Sequence, residues 1–386
     1  TRDSRNENVG NFALPERASD TQTQDYMVDL REIWTLSERS VHDLRFRWRK
    51  DHSATNPFSN ATGIIVKDAF SGGGAQNRRR VDGNEYELSN LIYFVGDKLT
   101  MRSGIQVLHR RERLMSEENF FGEFTFSDLG SFEAGTPLKY TVTCCDPLFK
   151  LNHTQVSLFS QNDFKLSNKF TLLLGVRYQI QTNIHDRNNV DPRIGFAYAL
   201  GNATVIRGGL GIFTQWVGFN TIANNRLDGK NVYEIQIDNP GWPDPFASGS
   251  IRPRARRQVD PDIKMPYYPV GQMSVERSLP NNLFVTLGYE FVRAIRPTRA
   301  RDINSPLAET GIRPNPNEGQ VLQYQSSGLS TYNHIKASLR QRFSIFVVSA
   351  NYTYVHGLSD QEDRRGGGGV WLPVDSYDLR KEWGNT

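Results

Sequence analysis

The stretch TLLLGVRYQIQTNIHDRNNVDPRIGFAYALGNATVIRGGLGIF, residues 171–213, repeats one pattern three times. Leu172, Leu174, Val176, Tyr178 and Ile180 alternate with Leu173, Gly175, Arg177 and Gln179. Ile194, Phe196, Tyr198 and Leu200 alternate with Arg193, Gly195, Ala197 and Ala199, and after the tight Gly201-Asn202 turn, Ile206, Gly208, Leu210 and Ile212 alternate with Val205, Arg207, Gly209 and Gly211. A period of two over this length predicts β-strands with one apolar face. The second face carries Arg, Gln and Gly where another packed layer would need bulk. Apolar outside and polar inside is the pattern of a membrane-spanning β-barrel.

Three motifs in this stretch resemble a known family: residues 171–183 read T-L-x-x-G-x-R-Y-x-x-Q-T-N, residues 192–198 read P-R-x-G-F-A-Y, and residues 204–213 read T-V-I-R-G-G-x-G-I-F. They are similar to runs in acidobacterial and myxobacterial TonB-dependent receptor-like (Oar-like) outer-membrane proteins. The chain departs from the family after Phe213, where a Tyr-Asp pair is common and Thr214-Gln215 stands here. Residues 119–137, 328–333, 349–356 and 377–380 resemble the same family, so the likeness runs from about Asn11 onward.

The resemblance implies an all-β fold, an antiparallel transmembrane barrel of about 22 strands with short periplasmic turns and long extracellular loops. It implies that residues 1–386 are barrel only, the plug and N-terminal domain lying outside this chain, which would then be incomplete at both ends. It also implies a receptor and transporter in the Gram-negative outer membrane, energised by a TonB-type coupling protein, bounded by lipid and lipopolysaccharide, and taking up a substrate that the residues do not name.

Composition fits without deciding. Mean hydropathy of −0.56 looks soluble, yet half of every barrel strand is polar, and no run approaches the roughly 18 apolar residues of a membrane helix. Forty-six Lys and Arg against 42 acids leave a charge of +4, too small to support a nucleic-acid partner. The adjacent Cys144 and Cys145 have neither zinc-site nor redox C-x-x-C spacing; a vicinal disulfide, two thiols and an interchain bond are all open. Gly72-Gly73-Gly74 lacks the Lys-Ser/Thr ending of a phosphate cradle and reads as a loop.

Along the chain the alternation predicts about six hairpins. Residues 1–24 read as a connector. Tyr26, Val28 and Leu30 face one way, and the return strand sets Leu44, Phe46 and Trp48 against Arg45, Arg47 and Arg49. Three arginines cannot face lipid, where each costs about 2–4 kcal/mol at the midplane. They are therefore placed in the lumen, with Arg177 and Arg207, where they favour a polar or anionic substrate or pair with carboxylates such as Glu276 and Glu290. Further strands are expected at 88–94, 99–109, 155–164, 270–277, 283–291, 335–339 and 346–354. Polar loops are expected at 49–85, 110–151, 214–266 and 293–331, the second with a phenylalanine cluster, Phe120 to Phe132, packing on itself.

The longest excursion, 214–266, carries Trp216, Phe219, Tyr233, Trp242 and Phe246, candidates for a ligand-binding loop surface. Its Asp238, Asp244, Asp260 and Asp262 match no calcium-loop spacing, and the seven scattered histidines match no metal-ligand pattern, so no metal or cofactor is expected. With no G-x-S-x-G, Cys-His arrangement or singled-out carboxylate pair, no enzyme is expected. Two other readings compete: a structural envelope barrel without transport, and a secreted, soluble, all-β glycan-binding protein, which predicts bulky residues on both strand faces.

Overall fold

The computed structural model describes residues 1–223, 232–360 and 372–385. It is 64% strand and 5% helix. One antiparallel sheet of 14 strands dominates. Two of these, Arg2–Glu7 and Gly384–Asn385, are short edge additions. The twelve long ones are β1 (Ser19–Ser37), β2 (Ser40–Pro57), β3 (Asn77–Val95), β4 (Leu99–Glu118), β5 (Leu148–Lys165), β6 (Phe170–Gln181), β7 (Asn189–Leu200), β8 (Thr204–Thr214), β9 (Tyr267–Leu279), β10 (Leu283–Ile295), β11 (Leu329–Arg342) and β12 (Val347–Ser359). They are the six hairpins expected from the alternation, and each long strand pairs with the next.

Connections alternate between the two rims, and four of the five on one of them are long. Six tight turns close one rim, and the 280–282 turn shows how: Asn281 (φ 61°) and Asn282 (φ 56°) take the left-handed conformation that asparagine tolerates best among residues with a side chain. The opposite rim carries the short connection 182–188 and the excursions 58–76, 119–147, 215–266 and 296–328.

Register aligns the apolar positions into rows across the sheet. Leu172, Phe196, Gly208, Met273, Tyr289, Ile335 and Tyr354 stand opposite one another in turn, as do Leu174, Ile194, Leu210, Gly271 and Phe291. Many of these side chains are exposed, Leu210 by 65%, Met273 by 53% and Tyr354 by 51%, and the rest are half-exposed. A continuous exposed apolar belt of this extent needs a nonaqueous neighbour. The other face aligns Leu173, Gly195, Gly209, Gln272, Glu290 and His334. Bulky residues do not fill both faces, as the soluble reading requires.

Two expectations are corrected. Residues 1–24 are not a plain connector, since Arg2–Glu7 pairs with the start of β1, which begins at Ser19. The loops 49–85 and 110–151 also begin later and end sooner, because β2 runs to Pro57, β3 already includes Arg78, Arg79 and Arg80, and β4 continues to Glu118. A 20-residue strand such as β4 is roughly 65 Å long, far more than an apolar band about 25 Å tall, even when tilted. Its outer part, beyond the apolar band, carries charged residues on both faces, Arg110 and Glu112 on one and Arg111 and Arg113 on the other, and therefore shows no apolar alternation.

The excursions fold together above the long-loop rim. A six-stranded sheet joins three of them in the order Ser250–Ile251, Val232–Asp238, Lys139–Cys145, Glu123–Phe126, Gly63–Val66, Phe70–Gly72. Its core is Val66, Phe124, Phe126, Tyr140 and Ile237. Gly122, at φ +74°, enters this sheet so close to Tyr140 that a Cβ would stand 1.9 Å from its hydroxyl. A three-stranded sheet of Arg256–Val259, Val321–Ser326 and Thr298–Asp302 joins the 215–266 and 296–328 excursions.

Arg299 ties this second sheet to the end of β12. Only 5% of it is exposed, and its guanidinium donates to Ser327 Oγ (2.9 Å), Ser327 O (3.0 Å) and Asp360 O (3.2 Å). Replacing Arg299 with Met is expected to free the Asp360 carboxylate from its 3.4 Å ion pair and destabilise this part of the rim by about 3–5 kcal/mol. Amide hydrogen exchange over 298–302 and 321–326 reads the effect.

Candidate site: the polar face and its loop cap

The predicted lumen arginines all lie on the polar face, and most are matched by acids. Asp29 on β1 accepts from Arg45 Nε at 2.9 Å and from Arg47 Nε at 3.2 Å. Arg47 also reaches Glu87 (3.2 Å), and Arg49 reaches Asp25 (3.2 Å). Nearby, Arg31 forks onto Asp43 at 3.0 and 2.8 Å. Arg207 pairs with Glu276 (3.0 Å), whereas Glu290 is held by Lys336 and His334 rather than by an arginine. Arg177 stands apart from the acids, donating to Gln106 (3.1 Å), to Ser157 (2.8 Å) and, through Nε, to the Gln179 amide oxygen (3.1 Å).

Arg110 is the residue that pattern reading missed. It gathers Glu112 (2.8 Å), Asp51 (3.3 Å) and Glu85 (3.3 Å) from three strands. In sequence it sits at the edge of an expected loop, with no alternation around it to place its side chain.

The five loop aromatics do not form one surface. Trp242 stacks edge-on against Phe124 (4.9 Å) and Phe126 (5.3 Å), and Phe246 meets Tyr140 at 6.3 Å, so both serve the six-stranded cap. The expected self-packing phenylalanine cluster therefore has a partner from another excursion. Tyr233 lies beneath the Arg254 guanidinium at 3.7 Å and stands across the pairing from Cys144, which is disulfide-linked to Cys145. Trp216 packs against a second core of Ile184, Val217, Ile222, Ile263 and Met265. Phe219 lies 5.3 Å from Arg110 and 6.1 Å from the His153 ring.

This last contact shows how the longest excursion begins. Asp191, fully buried on β7, accepts from Thr214 N (2.9 Å) and Oγ1 (2.6 Å), while Gln181 bonds both Val217 N (3.0 Å) and Val217 O (3.4 Å). Those bonds lay residues 215–219 across the polar face, over the Arg110 cluster. Farther out, the Arg252 guanidinium beside Asp238 holds its carboxyl below the usual carboxylate range. That bond, and the hydrogen bond from Gln323 to Asp260, occupy two of the aspartates considered for calcium. Among the described residues no group of three His, Cys, Asp or Glu side chains is arranged to hold a metal ion.

A wide antiparallel sheet with an exposed apolar belt on one face, matched charges on the other and long excursions on a single rim is the wall of a membrane β-barrel. The chain belongs to the outer membrane beta barrel domain family, whose model matches residues 1–190 and 183–386. The outer membrane is accordingly its location. Solved structures share the fold: the outer membrane transporter YddB from Escherichia coli (TM-score 0.63, 10% identity, 90% of this chain and 44% of that one) and the ferric enterobactin receptor PfeA from Pseudomonas aeruginosa (0.57, 12%, 88% and 46%). The siderophore receptor PirA from Acinetobacter baumannii is similar too (0.53, 12%, 88% and 48%). The chain thus spans a little under half the length of these relatives. Comparison with curated protein sequences finds no match.

Proposed function

We propose that this chain is the barrel of an Oar-like, TonB-dependent outer-membrane receptor, which captures its substrate on the cap and passes it along the polar face. The observation that carries the reading is the coupling of cap to lumen: the excursion that supplies Val232–Asp238 to the cap sheet is tied at its start to the barrel wall by Asp191 and Gln181. Ligand engagement outside thereby has a mechanical route to the polar face. Solved relatives named as transporters and siderophore receptors support the class of activity.

The chain's own part is binding and guidance, with no catalytic step and no cofactor. Energy would come from a TonB-type partner acting on parts of the receptor outside this chain, with lipid and lipopolysaccharide around the barrel. Glycans, peptides, siderophores and exported protein are the substrate classes to test. Deleting residues 216–246 is expected to abolish uptake of the true substrate while the barrel still assembles. Unchanged uptake of every class, together with a weakened envelope, would favour the structural barrel.

A further inference from the structure

Two zones of the polar face differ in how charge is balanced. On β1 to β4 the arginines Arg31, Arg45, Arg47, Arg49 and Arg110 each meet a carboxylate within 3.3 Å. On β4, β6 and β7 the arginines Arg102, Arg177 and Arg193 do not. Arg102 lies over the Tyr93 ring at 5.3 Å, Arg177 over Phe159 at 5.6 Å and Arg193 over Phe213 at 4.3 Å. Asp191 lies 3.9 Å from Arg193, but both of its oxygens already accept from Thr214. Asp163, on the same face, has no ion pair, and Glu290 at the far edge is held by Lys336 and His334.

Register sets two of these cations close together. Arg177 stands opposite Asp191, and Gly175 opposite Arg193, so the two arginines are diagonal neighbours on adjacent strands. Such neighbours lie about 7–8 Å apart at Cα, within reach of one multivalent anion. Arg193 Nε has no hydrogen-bond partner and the partners of Arg177 are neutral, so neither charge is balanced, the condition that favours a carboxylate or phosphate ligand.

Beside them the wall is open. Arg193, Gly195, Gly209, Gly211 and Phe213, with the ion-paired Arg207 and Glu290, line a recess of about 420 Å³. Neither Gly195 nor Gly209 has a positive φ, and an added Cβ would come no nearer than 3.3 Å to any atom. Backbone conformation therefore does not demand glycine there, and the missing side chains leave space next to unmatched positive charge.

We infer that Arg177 and Arg193 form a binding site for a small multivalent oxyanion, carrying carboxylate or phosphate groups, beside the recess of β6 to β8. This deepens the receptor reading by naming a substrate class, yet equilibrium binding at the site does not require uptake. The test is calorimetry on the full-length protein in detergent, with citrate and inorganic pyrophosphate as separate probes. Citrate binding alone assigns carboxylate ligands, and pyrophosphate binding alone assigns phosphate.

In either case Arg177→Gln/Arg193→Gln is expected to weaken binding by about tenfold or more per arginine, while Arg31→Gln, in the matched zone, leaves it unchanged. Equal loss in Arg31→Gln would reveal nonspecific attraction and overturn the site. So would failure of the wild type to bind either probe at up to about 1 mM, since the arginines would then be neutralised within the polypeptide. Anion binding without uptake would sink the receptor reading alone.

Discussion

Replacing Leu174 with Arg is expected to stop the protein from accumulating in the outer membrane. Leu174 sits in the apolar row with Ile194, Leu210 and Phe291, and its side chain is exposed. A guanidinium there would enter lipid at a cost of about 2–4 kcal/mol near the midplane, which a marginal assembly intermediate cannot absorb. Leu287→Arg, on β10, should behave alike. Arg177→Gln is the internal control: three residues away on the same strand but on the opposite face, it should assemble normally. Heat-modifiable protein in the outer-membrane fraction reads all three. Full assembly of Leu174→Arg would mean that this face does not meet lipid.

The second large effect is expected in the cap. Phe126 has no exposed surface and contacts Phe132 at 5.2 Å and Trp242 at 5.3 Å, so it joins two excursions through residues 116 positions apart in sequence. Phe126→Ala removes that junction and leaves a cavity, at a cost of about 3–5 kcal/mol. Because the barrel ladders do not pass through this core, the loss should stay local. Limited proteolysis from outside the cell should cut the variant within 119–147 and 232–266 while its barrel remains resistant. Wild-type protease resistance of the excursions would show that the cap is held together elsewhere.

What was legible in the sequence follows from where water and lipid lie. On β6, β7 and β8 each residue faces either lipid or the polar interior, so the alternation from Leu172 to Ile212 carries the strands, their register and their sidedness together. The same logic placed Arg45, Arg47 and Arg49 away from lipid and offered Glu276 and Glu290 as partners for the lumen arginines as a group, of which Glu276 meets Arg207. It could not follow β3 back through Arg80, Arg79 and Arg78, where both faces meet water and polar residues suit either one. The cap was hidden for a different reason. Thr143 pairs with Glu234 across ninety residues of sequence, and no local period records such a partner. Trp242 and Phe246 accordingly looked like exposed loop aromatics, although their rings complete the aromatic contacts around Phe124, Phe126 and Tyr140. Gln181 and Asp191, the two residues that anchor the longest excursion, lie inside or beside the most readable stretch, but their partners, Val217 and Thr214, are contacts of tertiary structure alone.

The central claim is that alternate residues of one strand face lipid and the polar interior. A nitroxide scan of positions 172–178, in outer membranes and with Cys144 and Cys145 replaced by Ser, tests it directly. Oxygen, which partitions into lipid, should broaden labels at 172, 174, 176 and 178, and a water-soluble nickel chelate should broaden those at 173, 175 and 177. Equal access to both reagents along the strand, or the opposite phase, would contradict the account.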